Sequence, residues 1–134
     1  MTITELVEKA HDNAVKHGFY DCPYCGTPDD AHHSAQCVDN YFDEDKQKNV
    51  GELLMLVVSE LGEALEAHRN DRFAVNVNLY EESISRHGNN ETAQSIFERD
   101  IKDTFEDELA DAVIRIADMC GYLGIDIEKH IILS

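Results

Sequence analysis

The longest predicted helix of this chain covers residues 50–69, which read VGELLMLVVSELGEALEAHR. Good helix formers fill the segment, and its apolar residues recur at the three- and four-residue spacing of one helical face. The breadth of that face predicts a helix that packs against more than one neighbour. The face contains Leu53, Leu56, Val57, Leu61, Ala64 and Leu65.

Two further segments have the same helical period. Residues 3–17 predict a first helix that stops near Gly18, and residues 103–122 predict a long helix followed by Gly124. Asp126 is a suitable N-cap for a short closing helix. The apolar face of the 103–122 helix contains Phe105, Leu109, Ala112, Val113, Ile116, Met119 and Leu123.

The remaining segments show weaker patterns. Residues 91–100 carry a weak helical signal, and residues 70–90 predict a loop with one short helix. Both prolines and three of the four cysteines lie where the period is lost, so we expect an irregular insert at about residues 20–48. Since no segment alternates like a strand, the sequence predicts a single all-α domain, 1–134, resembling a four-helix bundle.

The composition restricts the possible functions. The 134 residues include 28 acidic and 11 basic side chains, which gives a formal net charge of −17. Such a chain repels polyanions, so nucleic-acid polymers are excluded as partners. The sequence shows no membrane-length apolar run and no cleavable signal, which predicts a cytoplasmic protein.

Two of the predicted helices carry a pair of acidic residues near the edge of the apolar face. Glu60 lies within the apolar arc of its helix, and Glu63 lies at the edge one turn later. Glu108 lies at the border of the second apolar face, and Asp111 follows one turn later.

Carboxylates at such positions lose hydration and repel one another, and a divalent cation relieves both effects. Mg²⁺ prefers oxygen ligands and keeps waters and substrate phosphates in its coordination shell. Carboxylates that project from facing helices are an established way to bind it in a bundle. The alternative is that each pair is a solvated acidic surface, as is common in an acidic chain.

Four segments resemble the MazG-like and dimeric-dUTPase superfamily. Its ExxE…ExxD signature is similar to SELGEA at residues 59–64 and to ELADA at 108–112. GIDIE at 124–128 is similar to the segment after the second motif helix, and HDNAVKHGF at 11–19 to the first helix of one MazG-like subgroup. The resemblance covers residues 3–19, 50–69 and 104–131.

The resemblance implies hydrolysis of a nucleoside triphosphate to a monophosphate and pyrophosphate. Glu60, Glu63, Glu108 and Asp111 would ligate Mg²⁺ or Mn²⁺. Many relatives have an extra Glu where this chain has Ser59. If that acid helps to activate water in relatives, the catalytic base here must be another group, such as Glu60 or Glu63.

Several other polar residues are candidates for substrate contacts. Arg115 and Lys129 could contact phosphates, and a salt bridge from Arg115 to Asp111 or Asp118 is the alternative. His11 and Asn13 could contact the base or ribose, and the alternative for both is a polar surface role. His17 has the same two interpretations. Asp118 could be an outer-shell ligand of the metal, and we expect it to be an exposed acid.

The cysteines indicate a possible second metal. Cys22 and Cys25 form a CxxC turn, and His33 and Cys37 could complete a tetrahedral Zn²⁺ site. His32 is the alternative to His33. Free thiols in a loop and a redox CxxC remain alternatives, because a zinc ribbon usually has two such pairs. Cys120 lies on an apolar helix face, so we expect it to be a core residue.

Two hypotheses of function remain open. The first is the Mg²⁺-dependent pyrophosphohydrolase. The second is a helical module that forms oligomers and has no catalytic activity. Its insert, held together by Zn²⁺, would bind a protein partner. In both cases the broad apolar faces predict a homodimer or homotetramer.

Overall fold

A computed structural model describes residues 1–22, 26 and 48–134, and within these ranges the regular secondary structure is entirely helical. The predicted all-α class is therefore confirmed. None of the helices in these ranges is long and apolar enough to cross a bilayer. The helices are α1 (Ile3–Lys16), α2 (Val50–Arg69), α3 (Val77–His87), α4 (Glu91–Asp100), α5 (Phe105–Leu123) and α6 (Ile127–Leu133).

Local sequence signals explain where the helices begin and end. A capping box opens α1, in which the Thr2 hydroxyl accepts from the Glu5 N–H at 3.1 Å and the Glu5 carboxylate accepts from the Thr2 N–H at 2.8 Å. Gly18 follows α1 with a φ of +77°, which glycine adopts without strain. The predicted cap of α6 is confirmed, because the Asp126 side chain accepts from the Lys129 N–H at 3.0 Å.

The chain divides into two compact units. Unit 1 comprises Met1–Met55 and Ile114–Ser134, and unit 2 comprises Leu56–Val113. Within unit 1, α1 packs against α6. A Cβ atom on Gly121 of α5 would lie 2.6 Å from the His11 Cβ of α1, so the close approach of these two helices requires glycine there.

Asp118 lies at the centre of a polar cluster in unit 1. It is only 7% exposed, so the expectation of an exposed acid is wrong. One carboxylate oxygen lies 2.9 Å from His11 Nδ1 and accepts a hydrogen bond from the Tyr20 hydroxyl, also at 2.9 Å. Burial and this hydrogen bond raise the pKa of Tyr20, whose ring stacks on Tyr122 at 4.9 Å. The acid is buried because α1 and the turn after it supply its partners.

Asp118→Ala is expected to destabilise the protein by about 2 kcal/mol, because the buried Tyr20 hydroxyl loses its acceptor. Asp118→Asn keeps an acceptor oxygen and should cost less. Urea unfolding measures both, with Asp12→Ala on the exposed face of α1 as the control. Equal stability of the Asp118→Ala and Asp12→Ala variants would contradict this role.

Unit 2 has a core of small and medium side chains. Within it α3 packs against α4, and the Tyr80 and Phe97 rings lie 5.7 Å apart. Small side chains in the core allow helix backbones to approach closely. The buried apolar residues of this unit are Val57, Ala64, Ala67, Ala93, Ile96 and Ala112.

The buried faces of the two long helices differ from the predicted ones. On α2, Leu61 and Leu65 are exposed, and the buried residues are Leu53, Val57, Ala64 and Ala67. The same applies to α5, where Leu109 and Val113 are exposed and Ala112 is buried. The buried arc of α2 is thus rotated away from Leu61 and Leu65, toward the side of the helix that carries Glu60.

Candidate metal centre

Glu60 lies on the side of α2 that faces the core. It follows Val57 by three residues and precedes Ala64 by four, and both of these neighbours are buried. Residues at these spacings lie on one side of a helix. Glu60 is accordingly half-buried, and Glu63, one turn later and at the edge of this arc, is exposed.

Glu108 is the most buried of the predicted ligands. It lies in the first turn of α5 and is only 5% exposed. Its backbone N–H donates to the carbonyl of Thr104 at 3.0 Å, and Thr104 is itself buried. The start of α5 therefore directs this carboxylate into the interior of unit 2.

Three of the four predicted ligands converge. Glu60, Glu63 and Glu108 each offer a carboxylate oxygen, and these oxygens all lie within 4.8 Å of one another. We call these three residues the carboxylate cluster. Asp111 is not part of this set, although it is half-buried one turn after Glu108 and its charge acts on Glu108.

The electrostatics of Glu108 follow from this crowding. Burial raises its pKa, and the negative charges of Glu63, Glu60, Asp111 and Asp103 raise it further, in that order. The N-terminal position in α5 favours the charged form, so desolvation and repulsion outweigh the helix dipole. A cation bound between the carboxylates would relieve both effects.

The donor set suits a hard divalent cation. All three side chains of the carboxylate cluster offer carboxylate oxygens, the ligand type that Mg²⁺ and Mn²⁺ prefer. The exposure of Glu63 leaves one side of the cluster accessible to water and to a ligand. Such a site could hold a metal ion together with oxygen atoms of a bound phosphate.

A cavity of about 680 Å³ lies beside the cluster within unit 2. Sequence reasoning missed three of its charged residues, Glu66, Arg72 and Asp103. Arg72 and Asp103 lie in segments between helices, where periodicity carries no information about position. The signal that could have singled out Asp103 is its place just before the second motif helix. The cavity is lined by Ser59, Gly62, Glu63, Glu66, Ala67, Arg72, Asp103 and Glu108.

The other predicted substrate contacts belong to unit 1. His11 is bound to Asp118, as described above, and the carbonyl of Asn13 accepts from the His17 ring at 2.9 Å. Lys129 is exposed, and Arg115 is half-buried. Their contacts with a substrate remain predictions.

Unit 1 has a cavity of its own, of about 650 Å³. It lies beside His11 and Cys120, and its charged lining residues among the described ranges are all acidic. A phosphate would be repelled there without added cations, so this cavity suits a nucleotide's phosphates less well than the one beside Arg72. The acidic lining residues are Glu8, Asp12, Asp126 and Glu128.

The zinc prediction falls largely outside the described residues. Cys25, His33 and Cys37, like most of the expected insert, lie in the ranges that the structure does not describe. Cys22 is described, and its free thiol is buried. Cys120 is buried as predicted, and burial raises the pKa of its thiol.

A scan against models of protein families matched none, and searches of curated proteins and of solved structures likewise found no match.

Proposed function

We propose that this protein is a MazG-like, Mg²⁺-dependent nucleotide pyrophosphohydrolase, which cleaves a nucleoside triphosphate to a monophosphate and pyrophosphate. The observation that carries the proposal is the convergence of Glu60, Glu63 and Glu108 within 4.8 Å, although one of them is buried. Uncompensated carboxylates so close together are costly, and bound cations remove that cost. The ExxE and ExxD motifs supply these residues, which supports the family resemblance.

Each carboxylate has a distinct part in this proposal. Glu60, Glu63 and Glu108 hold the cation, with Asp111 as the fourth ligand implied by the resemblance. When bound, Mg²⁺ would neutralise phosphate oxygens and lower the pKa of a water molecule. Glu63 is the better candidate for accepting that water's proton, because it is exposed and lines the cavity, whereas Glu60 is not among the cavity's lining residues.

Incubation of the purified protein with Mg²⁺ and a panel of ribo- and deoxynucleoside triphosphates tests the proposal. We expect release of pyrophosphate, and not of phosphate, from at least one nucleotide, and loss of this release when EDTA removes the metal. A folded protein that hydrolyses none of the panel with either Mg²⁺ or Mn²⁺ would favour the non-catalytic module instead.

We further propose that the protein assembles as a homodimer or a larger homo-oligomer. Within unit 2, α2 and α5 present large apolar side chains that are 38–53% exposed. Apolar residues at three- and four-residue spacing on a helix are typical of a face that another helix covers. A second copy of the chain would cover it. The exposed residues are Val58, Leu61 and Leu65 on α2, and Leu109 and Val113 on α5.

Leu61→Glu combined with Leu65→Glu is expected to convert the oligomer to a monomer, because charges in an apolar interface are costly. Light scattering coupled to size exclusion measures the mass. Leu79→Glu is the matched control, since Leu79 on α3 is equally exposed at 47% and lies outside this face. A wild-type protein that is monomeric at micromolar concentration would contradict the assembly proposal.

A further inference from the structure

Arg72 is the single basic residue among the described residues that line the cavity beside the carboxylate cluster. Four carboxylates line the same cavity, so a guanidinium there would be expected to form an ion pair. Within residues 1–22, 26 and 48–134, however, Arg72 takes part in none of the ion pairs shorter than 4.0 Å. No carboxylate of the described residues therefore holds this guanidinium in an ion pair. The four acids are Glu63, Glu66, Asp103 and Glu108.

The backbone of Arg72 is held on both sides. Its N–H donates to the Ala67 carbonyl near the end of α2, and its carbonyl accepts from the Phe105 N–H at the start of α5, each at 2.9 Å. These hydrogen bonds tie Arg72 to the two helices that carry the carboxylate cluster. The residue therefore has a defined position relative to the cluster, although it follows a helix end.

The neighbouring residues stabilise this arrangement. The Phe73 ring lies 5.8 Å from the His68 ring and 5.9 Å from the Phe105 ring, in edge-to-face geometry. The next residue, Ala74, donates its N–H to the Glu106 carboxylate at 2.8 Å. The segment after α2 is thus anchored to α5 by packing and by hydrogen bonds, which holds the Arg72 backbone beside the cavity.

We infer that Arg72 binds a phosphate oxygen of the substrate beside the carboxylate cluster, a role that rests on the proposed function. A triphosphate carries several negative charges into a cavity with four acids. A cation bound by the carboxylate cluster would neutralise some of those charges. A guanidinium offers several N–H donors in one plane, which suits the phosphate oxygens that remain. The competing role is purely electrostatic, in which Arg72 only reduces repulsion among the acids.

Binding of inorganic pyrophosphate in the presence of Mn²⁺ separates the two roles, with isothermal calorimetry as the readout. We expect Arg72→Met to weaken pyrophosphate binding and to raise the KM of the nucleotide, each by at least about tenfold, without weakening Mn²⁺ binding. Arg72→Lys keeps the charge but loses the planar set of N–H donors, so an intermediate loss is expected. Arg69→Met removes an exposed arginine that does not line the cavity, and it should change neither value.

The possible failures are distinguishable. If the wild type hydrolyses a nucleotide and the Arg72→Met variant keeps its KM and pyrophosphate affinity, the role of Arg72 is overturned and the proposed function stands. If the Arg72→Lys variant keeps the wild-type KM and pyrophosphate affinity, the proposed contact of the guanidinium with a phosphate oxygen is likewise overturned. Only an effect of the positive charge would then remain. If the wild type binds no Mn²⁺ and hydrolyses no nucleotide, the proposed function fails and the role of Arg72 fails with it.

Discussion

Glu63→Gln is expected to lower kcat by on the order of a thousandfold, because it removes both a metal ligand and the most accessible proton acceptor of the cluster. Gln has nearly the same shape and cannot accept the proton of an attacking water. Since Glu63 is exposed, the variant should fold normally. Pyrophosphate release measured at saturating Mg²⁺ and nucleotide gives the effect.

Glu66→Gln is the matched control for this variant. Glu66 is exposed on α2 and lines the same cavity, but it lies outside the carboxylate cluster. Its replacement should change kcat by less than about threefold, in the range of a surface charge effect. If the two variants lose activity equally, the loss comes from removing any negative charge of the cavity, and the specific role of Glu63 is wrong.

Asp111→Asn addresses the fourth ligand in the same assay. The family resemblance implies a large loss of activity, whereas the structure brings only the other three carboxylates within 4.8 Å of one another. A loss comparable to that of Glu63→Gln would make Asp111 a ligand in the active state. Retained activity and Mn²⁺ affinity would limit the site to the three-residue cluster.

Glu108→Gln is expected to have opposite effects on stability and on metal binding. Burial and neighbouring charges raise the pKa of this carboxyl, so the ionised group destabilises the metal-free fold at neutral pH. Its replacement should stabilise the metal-free protein by roughly 1 kcal/mol. The same change should weaken Mn²⁺ binding by at least about 100-fold. Replacing residues that only hydrogen-bond to metal ligands already lowers metal affinity by about 10- to 100-fold.

The pH dependence has a definite sign. The folded state retains the Glu108 proton at pH values where the unfolded chain has released it, so this group's destabilisation is complete above the raised pKa. That destabilisation fades as the pH falls through the raised pKa toward the ordinary value. The stability advantage of the Glu108→Gln variant over wild type should therefore be largest at neutral pH and shrink on acidification.

Thermal unfolding of both proteins in EDTA from pH 7.5 downward measures this difference, and the comparison cancels the other titrating groups. Added Mn²⁺ should reverse the order at neutral pH, because only the wild type gains binding energy. A Glu108→Gln variant that is less stable than wild type in EDTA at every pH would show that the carboxylate is structurally satisfied without a cation.

The period of the apolar residues determined the helices of this protein. Residues 3–17, 50–69 and 103–122 were predicted as helices, and α1, α2 and α5 occupy almost the same ranges. Local interactions are sufficient for this, because helical period and capping depend on residues three or four positions apart. For the same reason the pairing of Glu60 with Glu63 on one side of α2 could be read from the chain alone.

The tertiary structure decided which part of each broad apolar arc is covered. Leu61 and Leu65 are exposed and Glu60 is half-buried, although the sequence placed all three on one face. Asp118 is buried because its partners Tyr20 and His11 come from a distant part of the chain. No local pattern contains such information, since burial depends on which helices pack together and not on the period of any one of them.

The candidate site shows the same division. The motif residues were identified from their spacing, whereas the place of Arg72 in the cavity that Glu108 also lines follows from hydrogen bonds between the segment after α2 and the start of α5. Spacing along one helix is a local property, so the sequence by itself determined the acidic pairs. The convergence of Glu60 and Glu63 with Glu108, and the cation-binding chemistry that it favours, depends on contacts between residues far apart in the chain, which only the folded structure specifies.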